Sequence, residues 1–204
     1  NGVALDYFDP AADFERIAWS DRPLIVFTGQ MDYRPNIEAV ESFARQSLPA
    51  IRAVHPDAGF AIVGRNPTPQ VEALSELPGV FVTGAVPDVR GWLAAADVVV
   101  APLRIARGVQ NKVLEAMAMA RPVVASPEAA EGIDASHGAH LLIAAHPAEE
   151  IEKVAALLAD PGGAERLGKA ARARMDERYR WSATLEELPR LLFGETGADT
   201  IRAA

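Results

Sequence analysis

Apolar residues in this chain come in short unbroken runs, separated by longer stretches where they recur every three or four positions. The runs lie at residues 24–29, 60–64, 80–84, 97–101 and 122–126, with 140–144 as a sixth. Runs of this length that are apolar throughout predict strands covered on both faces. The periodic stretches predict helices. One extends from an N-cap at Asn36 to about residue 54, kinked by Pro49. Short helices are predicted at 69–77 and 89–96, and a longer one at 109–120. Residues 147–192 read as helical: Ile151, Val154, Ala155, Leu157 and Leu158 mark one amphipathic helix. Asp160-Pro161-Gly162-Gly163 ends it, and another starts near Ala164. Buried strands alternating with helices predict an α/β fold, a Rossmann-like doubly wound parallel sheet with C-terminal helices. Ligands of such a sheet sit at the carboxyl ends of its strands, here Gly29, Gly64, Gly84, Pro102 and Ser126. Glycine at those ends admits a ligand to the backbone, or simply terminates a strand.

The stretch RGVQNKVLEAMAMARPVVAS, residues 107–126, organises the rest. Its helix is apolar almost all round, through Val113, Leu114, Ala116, Met117, Ala118 and Met119, which predicts burial. The polar residues Asn111, Lys112 and Glu115 crowd its first turns, where positions three and four apart share a face. Free backbone N–H groups and the positive end of the helix dipole lie there as well, which suits an anion such as phosphate.

Composition narrows the classes. The chain has 204 residues and is half hydrophobic, enough for one α/β domain with a sizeable core. A net charge of −8 and a pI near 5.0 argue against nucleic acid as a partner. There is no cysteine, and the four histidines form no helical ligand pair, so no metal site is expected. No apolar run approaches the roughly 18 residues that span a bilayer, and no signal peptide is visible. These readings predict a cytoplasmic protein. Arg166, Lys169, Arg172, Arg174, Arg178 and Arg180 form a basic run whose readings are a solvated helix face, or a surface for the inner membrane face or an anionic acceptor.

Several motifs together carry a family resemblance over residues 1 to about 193. They are NGVALDYFDP, FTGQMDYRPN, VTGAVPDVRGWLAAADVVVAPL, KVLEAMAMARPVVAS and the tail YRW. The chain resembles the C-terminal, donor-binding half of GT-B glycosyltransferases of the large retaining family 4, also called group 1. It is most similar to the sugar transferases of exopolysaccharide loci, including those of the PEP-CTERM type. The resemblance implies that residues 1–10 are an interdomain linker, 11–163 the donor-binding domain, and 164–204 C-terminal helices that pack on it or cross back. It implies that the partner is an N-terminal acceptor domain absent from this chain, which holds any catalytic residues. It further implies a UDP- or GDP-hexose as donor substrate, no cofactor, and a glycan or lipid-linked acceptor.

Carried onto this sequence, the resemblance assigns Glu115 to the ribose hydroxyls. The alternative is an ion pair with Lys112. Gly108, Val109 and Gln110 would bring backbone amides to the diphosphate, beside Asn111 and Lys112. Gly29, with Arg34 nearby, would face the phosphates from the first strand, unless Arg34 is a surface arginine. The segment with Val82, Gly84 and Val86 would line the nucleobase. The departures are informative. Arg107 stands where the family has the first acid of E-x7-E, Gln30 where it has arginine, Pro35 where it has lysine, and Ala120 where it has glycine. The phosphate contacts are therefore expected on Lys112 and Arg34. A dinucleotide-dependent oxidoreductase is the competing class, but Gly29-Gln30-Met31 is no G-x-G-x-x-G. A non-catalytic α/β interaction domain is the other.

Overall fold

The computed structural model describes residues 2–19 and 22–180. Its strands are β1 (Leu24–Thr28), β2 (Gly59–Val63), β3 (Val80–Gly84), β4 (Val98–Ala101), β5 (Val123–Ala125) and β6 (Leu142–Ile143). They pair in parallel in the order β3-β2-β1-β4-β5-β6. Every residue of β1, β2, β4 and β5 is buried, which is why each reads as an unbroken apolar run. The helices are α1 (Arg34–Ser42), α2 (Leu48–Val54), α3 (Pro69–Glu72), α4 (Arg90–Ala95), α5 (Asn111–Ala118), α6 (Pro127–Ala130), α7 (Pro147–Ala159) and α8 (Pro161–Arg178). From β1 the chain moves outward to β2, and from β4 it moves outward the other way to β5. The loops leaving β1 and β4 therefore diverge, and a crevice opens between them at the carboxyl edge. This is the Rossmann-like sheet expected from the sequence.

The boundaries differ in instructive ways. The first helix starts at Arg34, with Tyr33 in the cap position, because the fixed φ of Pro35 suits a first turn. Asn36, expected as the cap, is instead buried. The kink expected from Pro49 is a π-helical turn over Phe43–Ser47. There the Leu48 N–H reaches back five residues to the Phe43 carbonyl, and Pro49 has no N–H to restore the α-helical register. The signature helix begins at Asn111, not Val109. Asp160 accepts a hydrogen bond from the Gly163 N–H at 2.9 Å and Pro161 opens α8, so this run caps a helix as well as ending one. The helix expected near Ala164 thus starts three residues earlier, and the expected boundary at 163/164 falls inside it.

The segment expected as a linker lies against the domain. Val3 and Leu5 are buried, and the Val3 N–H bonds the Tyr179 carbonyl at 3.0 Å. Arg172 of α8 donates to the carbonyls of Phe8 and Ala118, each at 2.8 Å, and pairs with Asp176. The basic run is no free cationic face, since each member has a carboxylate within reach. Arg166 faces Asp160, Lys169 faces Glu165, Arg174 and Arg178 share Asp134, and Arg180 joins Arg172 on Asp176. The helix expected to continue to residue 192, and the crossing element from Trp181, lie outside the described residues. Among the described residues no helix is long and apolar enough to cross a membrane.

Two strained positions yield tests. α5 ends in a Schellman motif: the Arg121 N–H bonds the Ala116 carbonyl and the Ala120 N–H bonds that of Met117, both at 3.0 Å. Ala120 occupies the left-handed position at φ +54°. Left-handed backbone costs an alanine about 1–2 kcal/mol, partly offset by glycine's entropic cost of about 0.5–1 kcal/mol. Ala120→Gly is expected to stabilise the domain by roughly 0.5–1 kcal/mol, read as a rise of about 1–4 °C in melting temperature. Glu150 of α7 is buried, and its Oε1 has no hydrogen-bond partner among the described residues. Burial raises its pKa to about 7, against the opposing influence of Ser47 and Arg104. Between the unfolded value and about 7 the folded state holds the extra proton, so stability falls as pH rises through that window. Glu150→Gln should raise the melting temperature at pH 8, by on the order of 1–3 kcal/mol of stability, and lose the advantage at pH 4. Equal melting shifts at both pH values would contradict this account of Glu150.

Candidate functional site

The crevice at the switch point is a cleft of about 860 Å³ whose wall includes Gly29, Asn36, Arg65, Val86, Lys112 and Glu115. Its floor needs glycine. Gly64 has φ +155°, and a Cβ there would lie 1.6 Å from the Gly29 carbonyl oxygen. The ends of β1 and β2 are drawn together beyond the strands, with the Gly29 N–H on the Val63 carbonyl at 3.0 Å and the Met31 N–H on that of Arg65 at 2.8 Å.

α5 delivers the charges. Positions 112 and 115 share a helix face, and that face looks into the cleft. The Lys112 side chain runs toward β1, where its Nζ lies 4.2 Å from the centroid of the Phe27 ring. It donates to Oδ1 of Asn36, whose Nδ2 donates to the Gln30 carbonyl at 2.9 Å. Burial lowers the amine's pKa to about 7, and the Glu115 charge opposes that shift. Burial likewise raises the Glu115 carboxyl, with Lys112 opposing. Among the described residues the two side chains do not approach within ion-pair distance, because Lys112 turns to Asn36 instead. Gln110, in the cap position, makes no side-chain cap, so the first N–H groups of α5 lack one.

The sequence-derived candidates divide. Gly29, Val86, Val109, Gln110, Asn111, Lys112 and Glu115 meet in this one cleft. Val82, Gly84 and Gly108 are not in its wall, and the segment expected to line the nucleobase reaches it through Ala85 and Val86. Arg34 points away. It is exposed on α1 and pairs with Glu38 at 2.7 Å, an ordinary pair four residues apart. The second cation in the wall is Arg65, in the turn after β2, with its Nη2 on Gln30 Oε1 at 3.1 Å. Sequence reading missed Arg65 and Asn36. Arg65 follows a glycine at a strand end, which is a usable signal. Asn36 was read as a cap because asparagine before a helix usually is one. Among the described residues no three His, Asp or Glu side chains converge as a metal site.

The sequence matches the family described as glycosyl transferases group 1 over residues 22–160. It is 30% identical over 129 residues to a phosphatidyl-myo-inositol mannosyltransferase of Propionibacterium freudenreichii subsp. shermanii, covering 62% of this chain and 31% of the relative. A glycosyltransferase from Rickettsia africae has the same fold, with a TM-score of 0.72 at 17% identity over 93% of this chain and 54% of the other. HepE of Anabaena, crystallised with UDP-glucose, superposes with a TM-score of 0.63 at 15% identity, over 91% of this chain and 50% of HepE. The chain thus spans 31% of the mannosyltransferase and about half of each solved structure. By its sequence match across the whole sheet, the chain belongs to the group 1 glycosyltransferases.

Proposed function

We propose that this chain is the donor-binding domain of a retaining hexosyltransferase, which moves a hexose from a UDP- or GDP-sugar to a glycan or lipid-linked acceptor in exopolysaccharide synthesis. One observation carries the reading. Lys112 and Glu115 stand on the same face of α5, largely buried, at the switch point, and unpaired with each other. A nucleoside diphosphate brings what each lacks. Its phosphates answer the ammonium and the free N–H groups of α5, and its vicinal ribose hydroxyls donate to the carboxylate. In this reading the base lies along Ala85 and Val86. Lys112, Arg65 and the α5 N-terminus offset the charge that develops on the departing diphosphate, an electrostatic role that requires no metal. UDP-glucose in HepE supports a uridine donor, and the mannosyltransferase relative supports a hexose and a lipid-linked acceptor. Acceptor binding falls to a separate N-terminal domain working at the membrane surface. This chain alone then binds donor but turns over far below the usual 1–10³ per second, on the order of enzymatic rates generally.

Glu115→Ala should weaken UDP or GDP about ten- to a hundred-fold, the equivalent of roughly 1.5–3 kcal/mol, while affecting the 2′-deoxy nucleotide much less. Titration calorimetry on both ligands decides it, since equal losses leave Glu115 without a ribose contact. Lys112→Ala should weaken UDP strongly and uridine hardly at all, with the gap narrowing as salt screens the charge. The pH dependence has a definite sign. An amine of pKa about 7 loses its proton above that value, whereas a phosphate with a second pKa of about 6 is already fully ionised there. Wild-type affinity for UDP should therefore fall between pH 7 and 9, and Lys112→Ala should be flat over that range. A wild-type profile that is also flat would place the phosphates elsewhere.

A further inference from the structure

We propose that Asn36 is a positioning residue that holds the two charges of α5 apart, keeping Lys112 on the phosphate side of the cleft and Glu115 free for the ribose. The proposal rests on the donor-binding reading above. Lys112 and Glu115 are three residues apart on a helix, the spacing at which an ammonium and a carboxylate ordinarily pair. Such a pair would disable the site twice over, by withdrawing the cation from the phosphates and by occupying the carboxylate. Neither side chain has a competing charged partner within ion-pair distance among the described residues. What prevents the pair is one neutral amide from a different helix.

The chemistry of that amide fixes its direction. Asn36 is 5% exposed, and its side chain spans two groups that cannot be exchanged. The Gln30 carbonyl can only accept, so the NH2 group must face it, at 2.9 Å. The ammonium of Lys112 can only donate, so the remaining oxygen, Oδ1, faces Nζ. Because the first bond anchors the amide to the end of β1, the second delivers the ammonium there. Gly29 supplies the room: a Cβ at that position would come within 2.7 Å of Asn36 Nδ2 and 3.0 Å of Lys112 Nζ. The turn between β1 and α1 has no cation of its own in the cleft, since Arg34 pairs with Glu38 on the outer face. Asn36 therefore borrows one from α5.

Two substitutions separate this role from simple support of the fold, because only one of them affects the ribose side. In Asn36→Ala, Lys112 is released to pair with Glu115. UDP binding should fall about tenfold or more, and uridine binding should fall too, with loss of discrimination between uridine and 2′-deoxyuridine. In Asn36→Asp, the new carboxylate gives up the bond to the Gln30 carbonyl but pairs with Lys112, holding it away from Glu115 while neutralising it. UDP binding should fall while uridine binding stays near wild type. The double variant Asn36→Ala/Lys112→Ala supplies the sharpest test, because removing the lysine frees Glu115 again. It should bind uridine better than Asn36→Ala alone, a coupling that independent residues do not show. Titrations of this chain with UDP, uridine and 2′-deoxyuridine read all three. Additive losses in the double variant, or unchanged uridine binding in Asn36→Ala, overturn the proposal. If UDP binding depends on Lys112 but not on Asn36, the proposal fails while the donor reading stands. If the wild-type chain binds neither UDP nor GDP, the donor reading fails first and the proposal with it.

Discussion

An ammonium group taken out of water costs free energy until hydrogen-bond acceptors surround it. Among the described residues Lys112 finds one amide oxygen, Oδ1 of Asn36, and the face of Phe27. Much of the cleft's architecture follows from those two contacts. The bare Cα of Gly29 leaves the ammonium its space, and the buried Asn36 gives it an anchor. The result is a polar cleft whose ammonium is already oriented when a ligand carrying acceptors enters. In an acidic chain of net charge −8 this local arrangement must overcome a general field that repels anions.

The N-terminus of α5 is available to a ligand because its other end is tied down. Its apolar side chains are buried against the sheet and α8. The last turn closes in a Schellman motif, and Arg172 caps the Ala118 carbonyl while also holding the Phe8 carbonyl. A helix fixed at its carboxyl end by packing and by a guanidinium presents its amino end without play. Of the basic residues of α8, Arg172 serves the helix at the heart of the cleft, and Arg174 and Arg178 hold Asp134.

The strands were legible because a parallel strand buried on both faces admits little but apolar residues, and that pattern survives without any tertiary information. The face shared by Lys112 and Glu115 was legible for a similar reason, since helical periodicity alone puts them side by side. What periodicity does not encode is where a long side chain goes after it leaves the helix. Lys112 turned to α1 rather than to Glu115, and Arg34 turned to Glu38 rather than to the cleft. The first choice depends on a neighbour 76 residues away, and the second on a local pairing four residues on that competes with the cleft. Asn36 was hidden for a further reason, that the residue type with the strongest local role, capping, here serves a long-range one. Ala120 went the other way: the departure from glycine was visible in the sequence, and the positive φ it implies is present.

The hydrogen bond between Val3 and Tyr179 has a mechanical consequence. Residues at opposite ends of the described chain are joined side by side, with Val3, Leu5 and Tyr179 all buried at that junction. The two ends of the described chain are therefore clamped to each other at a single paired stem. A body suspended at two separate points resists rotation, whereas one suspended at a single point can swing about it. For the described residues the stem is thus one fulcrum rather than two separate attachments.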